Sequence, residues 1–130
     1  VILDTSVLVA AERGRASLDA AIQDDDDVAI AAITVAELWV GVELADARRR
    51  PRRTTFVEQV ISSIPVEEYD LHVARMHAEL LAGARRAGKP RGAHDLIIAA
   101  TAISRGRVLI TTDSAGFEQI PGLKVRRLPG

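Results

Sequence analysis

Two short aliphatic runs, VILD at 1–4 and VLITTD at 108–113, each stop on an aspartate, and segments of helical period separate them from a third such run, VAIAAI at 28–33. Strands this short and apolar, alternating with helices, leave few arrangements open. Right-handed crossovers must lay the helices over both faces of a mostly parallel sheet. The periodicity predicts helices over 6–12, 15–23, 34–49, 54–63, 70–87 and 94–106. Pro51 closes the third of these, Pro65 separates the next two, and Gly106 supplies a left-handed cap to the last. Two further strands are expected, one at 64–67 and one on a sheet edge at 123–128. With 130 residues, no repeat and no linker, residues 1–130 are read as a single α/β domain.

Composition narrows the chemistry. There is no Cys, which excludes a disulfide framework, a thiolate zinc site and a cysteine nucleophile. No apolar run approaches the roughly 18 residues of a membrane span, and a soluble, cytoplasmic protein is expected. A net charge of −1 argues against coating nucleic acid by bulk positive charge, yet charge is segregated. DDDD at 24–27 is acidic, while RRRPRR at 48–53 and RRAGKPR at 85–91 are basic.

Ligands of open parallel sheets bind beyond the carboxyl ends of the strands. Asp4 and Asp113 end two strands. Glu37 is expected in the first turn of the helix after the strand at 28–33, and Asp95 in the first turn of the helix at 94–106. Those helices start at the same rim, so four carboxylates from distant segments should converge. Each also has a plain structural reading. Thr34 to Glu37 matches a capping box, Asp95 suits a helix N-terminus, and Asp113–Ser114 suits a turn. Asp4 is hardest to explain in that way, because a charge amid apolar residues needs a partner. Crowded carboxylates are relieved by protonation or by a cation, and an oxygen-only set favours Mg²⁺ or Mn²⁺ over zinc. Ser6 and Thr112 offer hydroxyls to orient carboxylates or water. His94, beside Asp95, reads as a helix-start or surface residue. Arg85, Arg86, Lys89 and Arg91 are candidate phosphate contacts on the approach to Asp95. Arg48–Arg50 fall where a helix C-terminus is expected and cations offset its dipole. Trp39 suits core, interface or base stacking.

The motifs LDTS, TVAELWVG, HDLIIAATA and LITTDSAGF, in this order, resemble the PIN-domain ribonucleases, most closely the VapC toxins of VapBC toxin–antitoxin pairs. The resemblance implies a five-stranded mostly parallel sheet sandwiched by helices, and a Mg²⁺- or Mn²⁺-dependent endoribonuclease hydrolysing RNA with metal-activated water. It assigns the acidic quartet to Asp4, Glu37, Asp95 and Asp113, with Asp4, Asp95 and Asp113 as metal ligands. A VapB-type antitoxin is the implied partner, together with a homodimer and a larger toxin–antitoxin complex. One departure stands out: many relatives carry an acidic residue where this chain has Gly116. A catalytically weak or silent PIN scaffold is therefore the alternative reading. A receiver-type signalling domain fits less well, since it needs paired acidic residues after the first strand and a phosphoacceptor Asp on the central one.

Overall fold

The computed structural model describes residues 1–23 and 26–129. Among these residues five strands, β1 (Ile2–Leu3), β2 (Ala29–Ala31), β3 (Val66–Glu67), β4 (Leu109–Thr111) and β5 (Val125–Arg127), form one sheet in the order β3-β2-β1-β4-β5, with every pairing parallel. Among the described residues, six α-helices connect or flank them: α1 (Thr5–Glu12), α2 (Leu18–Ala21), α3 (Ala32–Glu43), α4 (Arg50–Ser63), α5 (Leu71–Arg86) and α6 (Ala93–Ser104). A 3₁₀ turn follows β4 at Ser114–Phe117.

The strands are short, and their alternation divides two cores. Leu3, Ile30 and Ile110 face α1, α3 and α4 and pack with Val7, Leu38, Val42, Val57 and Val60. Ile2, Ala31 and Leu109 face the other way and pack with Leu96, Ile98, Ala99 and Phe117. Full burial of each large aliphatic side chain contributes about 1.5–3 kcal/mol. α6 is buried nearly all round, from Leu96 through Ala102, and so forms the centre of its layer. It ends in a Schellman motif, as Gly106 foretells. Gly106 adopts φ 63° and its N–H donates to the Ile103 carbonyl, while the Arg107 N–H donates to that of Ala102.

Three local expectations are corrected. The helix expected over 34–49 begins at Ala32 and ends at Glu43, and Pro51 opens α4 rather than closing α3. Proline suits the first turn of a helix, where an N–H has no partner to lose. Arg48–Arg50 therefore lie before and at a helix N-terminus, where the dipole does not favour cations. Arg50 and Arg53 instead reach back over the end of α3, donating to the carbonyls of Val42, Glu43 and Gly41 at 3.2, 2.8 and 3.1 Å. The helix expected over 15–23 is only α2. Of the acidic run 24–27, Asp24 and Asp25 lie outside the described residues, while Asp26 and Asp27 pair with Arg126 and Arg107.

Candidate active site

β1 delivers Asp4 to the carboxyl end of the sheet. Its backbone N–H donates to the Ile110 carbonyl at 2.8 Å, completing the ladder, and it then becomes the N-cap of α1. An aspartate at this position ordinarily bonds the free N–H groups of the helix, but Asp4 makes no side-chain cap. Its carboxylate turns to hydroxyls. Ser6 Oγ and Thr111 Oγ1 donate to Oδ2 at 2.7 and 2.8 Å, and the residue is 5% exposed. Burial pushes the Asp4 pKa up, against the lowering effect of the Ser6, Thr111 and Thr5 hydrogen bonds, and Glu37 adds to the rise.

Thr111, the last residue of β4, takes the orienting role expected of Thr112. Strand alternation decides it: Thr111 lies one step beyond Ile110 and faces inward, fully buried. Thr112 contributes its backbone N–H, which donates to Ser6 Oγ at 3.1 Å.

Glu37 lies in the second turn of α3, because the helix starts at Ala32. The capping-box reading falls with that register. Thr34 is fully buried inside the helix. The Thr5 hydroxyl donates to Glu37 Oε1 at 2.7 Å and lies 3.1 Å from Thr34 Oγ1. Glu37 Oε2 lies 3.3 Å from His94 Nδ1, so His94 belongs to the site after all.

Asp95 sits in the first turn of α6, half-buried. Its pKa is raised, first by burial and then by the charges of Asp4, Glu37 and Asp113, with His94 opposing. Asp113 is exposed and leads into the 3₁₀ turn, its N–H donating to Thr111 Oγ1 at 3.0 Å. Asp4, Glu37, Asp95 and Asp113 line one depression of about 340 Å³, together with Thr5, Ser6, Thr112, Arg15 and Phe117. Among the described residues, no guanidinium or ammonium group comes within ion-pair distance of any of the four.

The donor set suits a hard cation held through water. Among the described residues, no three carboxylate or imidazole groups are gathered closely enough to hold an ion directly. Mg²⁺ is usually held by one or two carboxylates while keeping several waters, and four carboxylates around an open depression, with the pKa values of Asp4 and Asp95 raised by burial and neighbouring charge, match that manner of binding.

The candidate phosphate contacts divide. Arg85 and Arg86 are exposed in the last turn of α5. Lys89 bonds Gln119 Oε1 at 3.3 Å. Arg91 is engaged with backbone, Nη1 donating to the Gly116 carbonyl at 3.2 Å and Nη2 to that of Glu118. Arg13, Arg48, Arg49, Arg52 and Arg53 line a separate hollow of about 520 Å³. Trp39 packs half-buried against the α1–α3–α4 core.

The PIN domain family model matches residues 1–123. The chain is 32% identical over 130 residues to a ribonuclease VapC of Rickettsia bellii, covering 99% of this chain and 96% of that protein. It is 38% identical over 96 residues to the tRNA(fMet)-specific endonuclease VapC of Salmonella typhimurium, covering 74% of this chain and 71% of that protein. The crystal structure of DNA-bound VapBC from Salmonella typhimurium superposes with a TM-score of 0.87 at 30% identity, covering 97% of this chain and 96% of that one.

Proposed function

From the premise that this chain belongs to the PIN domain family, we propose that it is a VapC-type toxin: an endoribonuclease that hydrolyses RNA phosphodiesters with Mg²⁺ or Mn²⁺. In this reading residues 1–130 form one such domain acting in the cytoplasm, and among the described residues no helix is long and apolar enough to cross a membrane. The observation that carries it is the depression where Asp4, Glu37, Asp95 and Asp113 meet with, among the described residues, no guanidinium or ammonium group within ion-pair distance of any of them.

Asp4, Asp95 and Asp113 would hold the cation, no more than two of them directly and the rest through its waters. When bound, the ion supplies an activated water and offsets negative charge on the phosphoryl oxygens. The chain's own residues prepare that place. Ser6 and Thr111 fix Asp4 Oδ2, which keeps the carboxylate in one orientation. Thr5 and His94 hold the two oxygens of Glu37, leaving it as an acceptor that can orient water toward the scissile phosphate. Arg85 and Arg86 are the outward-facing candidates for phosphate contact.

VapBC complexes among the structural relatives support a VapB-type antitoxin as partner, and a homodimer and a larger toxin–antitoxin assembly are proposed with it. Because one relative is named for initiator transfer RNA, the first substrate pool should contain it with other structured RNAs. Discrete cuts are expected with Mn²⁺, and none with EDTA or in Asp4→Asn. A folded protein that binds Mn²⁺ and cuts nothing would favour the silent scaffold.

A further inference from the structure

The Asp95 carboxylate lies between two bare stretches of backbone. A Cβ on Gly92 would stand 3.2 Å from Asp95 Oδ2 and 3.5 Å from Cγ, and one on Gly116 would stand 2.7 Å from the same oxygen. Neither glycine has a positive φ, so conformation does not demand glycine at either place. Space does. The two walls come from distant segments, the N-cap of α6 and the 3₁₀ turn after β4. Arg91, next to Gly92 in sequence, joins them by donating to the Gly116 and Glu118 carbonyls. A planar guanidinium pinned at two points holds position better than a flexible ammonium would. Phe117, 3% exposed, anchors the turn from the core side.

We propose that Gly92, Gly116 and the Arg91 tie form a positioning slot that sets the direction in which the Asp95 carboxylate faces a bound cation. Gly116 is then a wall of the slot, not a place where an acidic ligand has been lost. The inference rests on the reading of Asp95 as a cation ligand. A methyl group at 116 would meet only the free end of a side chain. The carboxylate would turn aside while the backbone stays in place, so cation affinity should change far more than stability. An aspartate at 116 would displace Asp95 in the same way, and its added charge would not compensate.

The test is a Mn²⁺ titration of the full chain without RNA, followed by the loss of the free-ion paramagnetic signal, with the Tm of each metal-free protein measured alongside. Wild type is compared with Gly116→Ala, Gly116→Asp, Arg91→Gln and Asp95→Asn. Gly116→Ala, Gly116→Asp and Arg91→Gln should each bind Mn²⁺ about 10–100-fold more weakly, the usual cost of disturbing groups that orient a ligand, and Gly116→Ala should keep its Tm. Unchanged affinity in Gly116→Ala, or tighter binding in Gly116→Asp, overturns the slot while leaving the proposed activity standing. If Gly116→Ala melts early, Arg91→Gln decides, since it adds no atom beside Asp95, and wild-type affinity there overturns the slot. Failure of wild type to bind Mn²⁺, or binding indifferent to Asp95→Asn, removes the reading of Asp95 as a ligand and the slot with it.

Discussion

The two ends of α6 treat acidic residues in opposite ways. At its start, Asp95 shares a depression with Asp4, Glu37 and Asp113, and its pKa is raised. Just past its end, Arg105 pairs with Glu67 at 3.0 Å and with Asp70 at 2.7 Å, and Arg107 pairs with Glu67 at 2.9 Å. Asp70 also caps α5, accepting from the Val73 N–H at 3.0 Å, and its pKa is lowered, chiefly by the Arg105 hydrogen bond. The contrast is not one of residue type. Carboxylates that meet guanidinium partners hold the fold together, whereas those gathered at the carboxyl rim are left uncompensated and can receive a cation.

That comparison can be broken from either side. The largest effect expected is on the rim. Asp4→Asn should lower RNA cleavage by on the order of 10³-fold, since a cation site supplies several kcal/mol of charge stabilisation. Its circular dichroism should be unchanged, and cleavage within tenfold of wild type would make the rim structural. Arg107→Ala attacks the other end. It leaves Glu67 and the Val1 and Asp27 carbonyls short of a donor, and urea unfolding should show a loss of about 2 kcal/mol. Cleavage measured well below the melting temperature should survive it. Thr111→Val removes one of the two hydroxyls that fix Asp4 while keeping the buried volume. Mn²⁺ affinity should fall by about tenfold, the low end for a group that orients a ligand.

The smallest effect has an unusual sign. In metal-free protein, Asp95→Asn should raise the Tm by about 2 °C, the shift expected of a change well under 1 kcal/mol in a domain of this size, because solvent screens part of the repulsion. The pH dependence follows from the same cause. Asp4 and Asp95 bind protons more tightly folded than unfolded. Their contribution is fully present below the ordinary carboxylate value and is lost as pH rises through their raised folded values. Acidifying metal-free protein from neutrality toward the ordinary carboxylate range should therefore stabilise it through these groups. Glu37, Asp113 and Arg15 line the same depression, His94 contacts Glu37, and the charges of all four shape the response. Asp95→Asn should flatten that rise, and an unflattened profile would deny Asp95 its share.

The central strands β1, β2 and β4 were legible because two or three buried, mostly aliphatic residues bounded by helical segments have few alternatives. Asp4 was legible because its surroundings leave a charge unexplained. What escaped the sequence was helix phase. α3 starts at Ala32 without a side-chain cap, so Thr34 looked like the cap and Glu37 appeared a turn too early. Proline stops one helix or starts the next with equal ease, and Pro51 does the second. The choice between Thr111 and Thr112 needed the strand register, which adjacent threonines conceal. His94 and Arg91 bond to residues 57 and 25 positions away in the chain, and no local pattern carries such pairs.

The division of β1, β2 and β4 between two cores has a further consequence, for heredity more than for folding. β1 contributes only Ile2 and Leu3, one to each face, and Asp4 comes next. Deleting the codon for Ile2 or Leu3 would strip one core of its β1 side chain and move the aspartate off the rim in the same event. Frame-preserving deletions in this stretch should therefore yield an unfolded chain far more often than a folded but inactive one. Loss of toxicity through a stable, inert protein would have to come by substitution.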